Sequence, residues 1–140
     1  MSFPIFFLNF RIIEEGDFTV FEFEKTPLNV ASYLIAVIVS DFKGSEKLTI
    51  FNGYKPFRTW GQPRYIDNNE DELSQVAGPA VLDIMTRLTG VEFMLPKMDQ
   101  AGIPDFPSGA MENWGLTTYR YVFLRLAIFN SIFKLNLACK

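Results

Sequence analysis

Leu73-Ser-Gln-Val-Ala-Gly-Pro-Ala-Val-Leu-Asp-Ile-Met-Thr-Arg-Leu88 places apolar side chains at Leu73, Val76, Ala77, Ala80, Val81, Ile84, Met85 and Leu88. The offsets 0, 3, 4, 7, 8, 11, 12 and 15 trace one face of an α-helix. Asp67, Asn68 or Asn69 can cap its start, and Gly90 can end it in a left-handed turn. Gly78-Pro79 falls inside. Proline lacks an N–H and crowds the carbonyl four residues back, at Gln75, which costs about 3 kcal/mol in a helix interior. The apolar phase is unbroken across Pro79, so the pattern predicts one kinked helix over roughly 69–89 rather than two.

Upstream of the helix the periodicity changes. Phe18-Thr-Val-Phe-Glu-Phe23 alternates and is β-branched and aromatic, as strands are. Ser32-Tyr-Leu-Ile-Ala-Val-Ile-Val-Ser40 is a continuous apolar run whose composition favours a buried strand. Lys47 to Phe51 is a third strand, closed by the turn-forming pair Asn52-Gly53. Tyr54 to Trp60 is a short fourth strand that Pro56 confines to a sheet edge or to its own beginning. Beyond the helix, Lys97 to Ile103 and Leu116 to Arg120 read as two further short strands. Leu34, Ala36 and Ile38, with Val81, Ile84, Met85 and Leu88, are the expected core.

Composition narrows the functional classes. The chain has 140 residues, 49% of them hydrophobic, with 15 Phe, enough for a packed core. The net charge of −3 and the lack of a basic cluster exclude a nucleic-acid partner. Asp67-Asn-Asn-Glu-Asp-Glu72 is acidic but has Glu72 where a calcium loop needs glycine, so it reads as a solvated helix approach. There is no His, and Cys139 is the only cysteine. An intrachain disulfide is therefore excluded, and a conventional zinc site lacks its donors. No apolar run reaches the roughly 20 residues that span a bilayer, and the N-terminus makes a poor secretory signal.

Chemistry concentrates in Gly109-Ala110-Met111-Glu112-Asn113, followed by Trp114-Gly115 and preceded by the turn-rich Pro104-Asp-Phe-Pro-Ser-Gly109. Gly109 and Ala110 lack bulk, so another backbone can approach theirs. On the residues alone, Glu112 reads as a surface carboxylate or a hydrogen bonder at the core edge. It is also the residue type that would hold a free ammonium through a charge-assisted hydrogen bond.

This stretch, with Ile103-Pro-Asp-Phe106 before it and Thr117-Thr-Tyr-Arg120 after it, resembles the G-A-M-E-N substrate-binding signature of the aminopeptidase N family of zinc metallo-aminopeptidases. The likeness spans residues 18 to 120 and includes Phe57-Arg-Thr-Trp-Gly-Gln-Pro63 and Phe93-Met-Leu-Pro-Lys-Met-Asp-Gln100. It implies an α+β fold. Residues 1–62 would be the end of an N-terminal antiparallel β-domain. Residues 63–120 would be the beginning of a thermolysin-like catalytic domain, and residues 121–140 a divergent apolar tail. It further implies that Gly109, Ala110, Met111, Glu112 and Asn113 bind substrate, with Glu112 anchoring the amino group of a peptide N-terminus. The resemblance also implies an extracellular or plasma-membrane setting, although no anchor is read in this chain.

In that family an H-E-x-x-H helix and a further Glu hold the zinc. With no His, this chain is expected to bind no zinc and to carry no catalytic residue. Two origins fit: a partial gene product with an unrelated tail, or a short paralogue that has lost catalysis. A cut inside a catalytic domain favours the first, since a domain normally keeps a complete core. The functional expectation is thus a fragment of a zinc aminopeptidase. The alternatives are a catalytically dead binder of peptide N-termini and a structural or interaction paralogue. Oligomeric state is left open by the sequence. Residues 121–140, in place of the family's own continuation, are expected to pack poorly and expose apolar surface.

Overall fold

A computed structural model describes residues 3–6, 10–25, 29–45, 49–51 and 53–122. The content is mixed α+β. A six-stranded sheet holds β5 (Lys43–Gly44), β6 (Thr49–Phe51), β7 (Lys55–Gly61), β8 (Met98–Ile103), β9 (Ala110–Met111) and β10 (Leu116–Arg120). Its order is β5-β7-β8-β10-β9, with β6 also pairing β7. β7, β8 and β10 run parallel, while β5, β6 and β9 are antiparallel to their neighbours. Parallel neighbours need a long crossover. Between β7 and β8 the crossover contains α1 (Pro63–Asp67) and α2 (Glu72–Thr89). Two antiparallel pairs complete the described chain: β1 (Phe3–Phe6) with β4 (Val37–Ser40), and β2 (Phe10–Glu15) with β3 (Phe18–Phe23).

The helix expectation holds in outline. α2 continues through Pro79 as one helix, and Gly90 ends it at φ 68°. Its start differs. Asp67 closes α1, Asn68 caps that helix at its C-terminus, and Asn69 turns the chain at φ 57°. All three expected caps are therefore consumed, and Asp71 precedes α2 without a side-chain cap. α1 had no periodic signal; Pro63 at its first turn supplies the fixed φ a helix start needs.

The strands follow their partners rather than their apolar runs. Ser32–Leu34 forms a 3-10 turn, and only Val37–Ser40 is strand, because β1 offers four residues to pair with. β7 is interior to the sheet rather than an edge. Pro56 lies at its beginning, one residue before the ladder with β8 starts at Phe57, so the missing N–H costs no bond on that side. β2 was not expected; it pairs with β3 through a hairpin in which Gly16 takes φ 61°. β8 and β10 fall within one residue of expectation. Lys47 and Asn52 lie outside the described residues, as do 123–140.

Two faces of the sheet carry different packing. On one, Leu95, Ala101 and Leu116 are fully buried, with Ala36, Ile38, Phe42, Trp60 and Trp114 packed around them. On the same face Lys97 pairs with Asp99, and burial, only partly offset by that carboxylate, lowers the Lys97 pKa. The other face receives α2. The helix does not present its apolar stripe: Val81, Ile84, Met85 and Leu88, expected in the core, are exposed, and Leu34, Ala36 and Ile38 are half-buried. Instead Ser74, Gln75 and Pro79 are buried. Gly78 lets the Phe57 ring approach so closely that a Cβ there would collide with it.

Hydrogen bonds fix this rotation. The Gln100 amide donates to Thr59 Oγ1 at 2.8 Å, and Thr59 and Ser74 hydroxyls are 3.0 Å apart. Ser74 Oγ donates to the Asp71 carbonyl at 2.7 Å, which spends its single proton, so Thr59 is the donor to Ser74. Gln75 Nε2 donates to Ser45 Oγ, whose residue pairs backbone to backbone with Thr59. Thr59→Val should strand the buried Gln100 amide and remove the donor to Ser74 Oγ, lowering stability by about 1–3 kcal/mol in a urea titration. Gly78→Ala should cost a similar ~1–3 kcal/mol by overpacking against Phe57. An unchanged midpoint in either variant contradicts the packing described.

Candidate substrate-binding segment

β8 and β10 are parallel neighbours, so the twelve-residue link between them must cross from one end of the sheet to the other. The pentapeptide lies in that link. Arg120, the last residue of β10, holds the link at its first half. Its Nε donates to the Phe106 carbonyl at 2.6 Å, its Nη2 to the Pro107 carbonyl at 2.8 Å, and its backbone N–H to the Gly109 carbonyl at 2.9 Å. Asp105, at φ 50°, makes the turn into it.

Ala110 and Met111 then form β9, with Met111 opposite Thr118 and Ala110 opposite Tyr119. β9 ends the strand order, so its outer edge carries no paired strand among the described residues. Asn113 is buried. Its side-chain carbonyl accepts from Thr118 Oγ1 at 3.0 Å, and its backbone carbonyl from the Leu116 N–H at 3.2 Å. Trp114 N–H donates to the Leu34 carbonyl at 3.0 Å, and Gly115, at φ 72°, completes the turn into β10.

Glu112 sits between two fastened ends. Its side chain is exposed, and no described residue pairs with it. The five expected residues thus divide. Gly109 and Asn113 are tied into the protein, Ala110 and Met111 supply a strand edge, and Glu112 alone among the five carries a charge, unpaired among the described residues. The clamp by Arg120 and the Thr118–Asn113 bond carry no sequence signal beyond the strand pattern of β10. A cleft of about 620 Å³ opens at the beginning of the link, lined by Arg64, Tyr65, Pro104, Asp105, Arg120 and Tyr121 among others.

A family model for the Peptidase family M1 domain matches residues 76–133. The chain is 43% identical to aminopeptidase N of Canis lupus familiaris over 108 residues, which is 76% of this chain. It is 42% identical to aminopeptidase Ey of Gallus gallus over 101 residues, and 42% identical to endoplasmic reticulum aminopeptidase 1 of Mus musculus over 93. The chain belongs to the aminopeptidase N family, peptidase family M1.

It spans 11% of the length of the dog relative and 10% of the other two. The M1 match runs on to residue 133, into the segment that sequence reading set apart as a tail. M1 aminopeptidases depend on zinc, and a tetrahedral zinc site draws on His, Cys and carboxylate donors. This chain has no imidazole, and among the described residues no three His, Cys, Asp or Glu side chains converge. The described residues do not fit the metal. No helix among the described residues is long and apolar enough to cross a membrane.

Two outcomes test the geometry of the segment. Asn113→Ala should leave the Thr118 hydroxyl unpaired and lower stability by about 1–3 kcal/mol, read by denaturant titration. Tyr119, across from Ala110, has its phenol pKa raised by burial. The folded chain therefore holds that proton more tightly than the unfolded one. The contribution is intact below the ordinary phenol range and is lost as pH climbs through the folded-state value. Tyr119→Phe should flatten the alkaline fall in stability as pH rises above the ordinary phenol value of about 10, followed by urea midpoints. An unchanged alkaline limb contradicts the burial assigned to Tyr119.

Proposed function

We propose that this chain is part of an M1 aminopeptidase that removes N-terminal residues from peptides, and that it carries the segment which recognises the substrate's amino end. Residues 1–62 correspond in this reading to the end of the N-terminal β-domain, and 63–120 to the beginning of the thermolysin-like catalytic domain. The observation that carries it is the exposed Glu112 carboxylate, with no partner among the described residues, beside the edge of β9, which likewise has no paired strand among them. An exopeptidase must find a free α-ammonium and ignore interior peptide bonds. A fixed carboxylate does this by a charge-assisted hydrogen bond. The outer edge of β9, without a paired strand among the described residues, supports the complementary role, taking the substrate backbone as an added strand.

Placement matters more than charge. An exposed ion pair contributes only about 0–1 kcal/mol, so Glu112 alone would hold a peptide weakly. Its value lies in orientation: anchoring the amino group sets the distance from the chain end to the bond that is cut. The clamps at Gly109 and Asn113 support that role, because they hold the backbone on both sides of Glu112. Hydrolysis itself, with its zinc, falls to the remaining length of such an enzyme.

The 140-residue chain should show no chelator-sensitive turnover of amino-acid anilides. Joined in frame to the rest of a family M1 enzyme, the segment should support turnover, and Glu112→Ala should cripple it on free-amine substrates. Retention of full activity by that variant would remove the amino-anchor role. If the joined enzyme stays inactive but the chain still prefers free over N-acetylated peptides, the non-catalytic binding reading replaces the enzymatic one.

A further inference from the structure

Two buried N–H donors on β7 have no acceptor among the described residues. They are Arg58 Nε and Trp60 Nε1. Folded proteins leave few such groups unsatisfied, because each gives up its bond to water and gains nothing in return. Here two of them belong to one strand, two residues apart, on the same face of the sheet. That spacing invites a common partner.

Charge points the same way. Arg58 stands opposite Asp99 in the β7–β8 register, yet Asp99 pairs with Lys97. The Arg58 guanidinium makes no ion pair among the described residues. It lies over the Trp60 ring instead, 5.5 Å from the centroid. Burial is the main cause of the lowered Lys97 pKa, and the Arg58 charge lowers it further, so the two cations feel one another. One carboxylate serves two cations, and this part of the face carries one positive charge in excess.

Packing limits what can supply the missing acceptor. Gly44 of β5 pairs with Trp60. A Cβ at Gly44 would lie 2.9 Å from Arg58 Cδ and 3.1 Å from the indole. The absent side chain lets the arginine stem and the ring close against the β5 backbone. Trp60 also packs against the buried cluster of Leu95, Ala101 and Leu116. A partner seated here is small. A water could accept from both N–H groups, but it brings two protons that need acceptors in turn, and it leaves the charge uncompensated. A monovalent anion answers both needs.

We propose that Arg58 and Trp60 form a binding site for a small monovalent anion of halide size, which accepts from both N–H groups and neutralises the arginine. The site lies on the face of the sheet opposite Thr59 and does not rest on the role given to Glu112. An anion that binds only the folded chain stabilises it by mass action.

The test uses the 140-residue chain with chloride as the probe. At constant ionic strength, with methanesulfonate replacing chloride, the urea midpoint should rise with chloride concentration. At ten times the dissociation constant the folding equilibrium constant should gain about tenfold. Chlorine NMR lines should broaden on adding the protein and sharpen again when bromide competes. Trp60→Phe keeps a ring but removes the indole N–H, and should weaken chloride binding several-fold. Arg58→Met keeps an unbranched stem but removes the charge. It should abolish the chloride dependence without lowering stability in chloride-free buffer. Gly44→Ala, which pushes on Arg58 and the indole from β5, should weaken chloride binding and gives an independent reading if either of the other variants fails to fold. Midpoints and line widths indifferent to chloride in the parent chain would overturn the proposal. So would a chloride response that survives Arg58→Met, or chloride binding that neither Trp60→Phe nor Gly44→Ala weakens.

Discussion

The buried hydroxyl of Thr59 joins the parts of this protein that sequence alone keeps separate. It accepts from Gln100 on β8 and donates to Ser74 on α2, from the middle of β7. Helix, central strand and neighbouring strand therefore meet through one oxygen with no solvent access. Such a chain of donors and acceptors is strong while every member is paired and expensive once one is lost. It decides which side of α2 meets the sheet. The helix could have packed by its apolar stripe; the polar network and the Gly78–Phe57 contact turn it to another face. The exposure of Val81, Ile84, Met85 and Leu88 is thus the other side of the same contact.

This explains how far the fold could be read from sequence. The existence, span and C-terminal end of α2 followed from periodicity and Gly90, because both are local properties. β8 and β10 were legible for the same reason. The rotation of α2 was not, since Ser74, Gln75 and Gly78 give no apolar signal and their partners lie 15 to 30 residues away. The interior position of β7 was hidden by Pro56, whose effect depends on which edge pairs at that residue. The shortness of β4 was set by a partner more than thirty residues upstream.

The site divides in the same way. The five residues of the segment were identified by their likeness to a family motif, and the side chain with an unengaged charge among them is the one singled out on chemical grounds. What the motif could not convey is how the segment is held. Arg120 reaches back to Phe106, Pro107 and Gly109, and Thr118 to Asn113. Both belong to β10, and neither is distinguishable from an ordinary strand residue before the strand's neighbours are known.

That arrangement has a consequence for biosynthesis. The segment is made before the strand that shapes it, since β10 follows it in the chain. While the chain is emerging, residues 104–113 have neither the Arg120 clamp nor the edge of β10 to lie against. β9 gains its pairing partner only when β10 arrives and docks beside β8. Domains acquire structure as units during synthesis. Here the last strand to appear in the described sheet is the one that closes the unit, so a ribosome stalled before Arg120 would present the motif's letters without its shape.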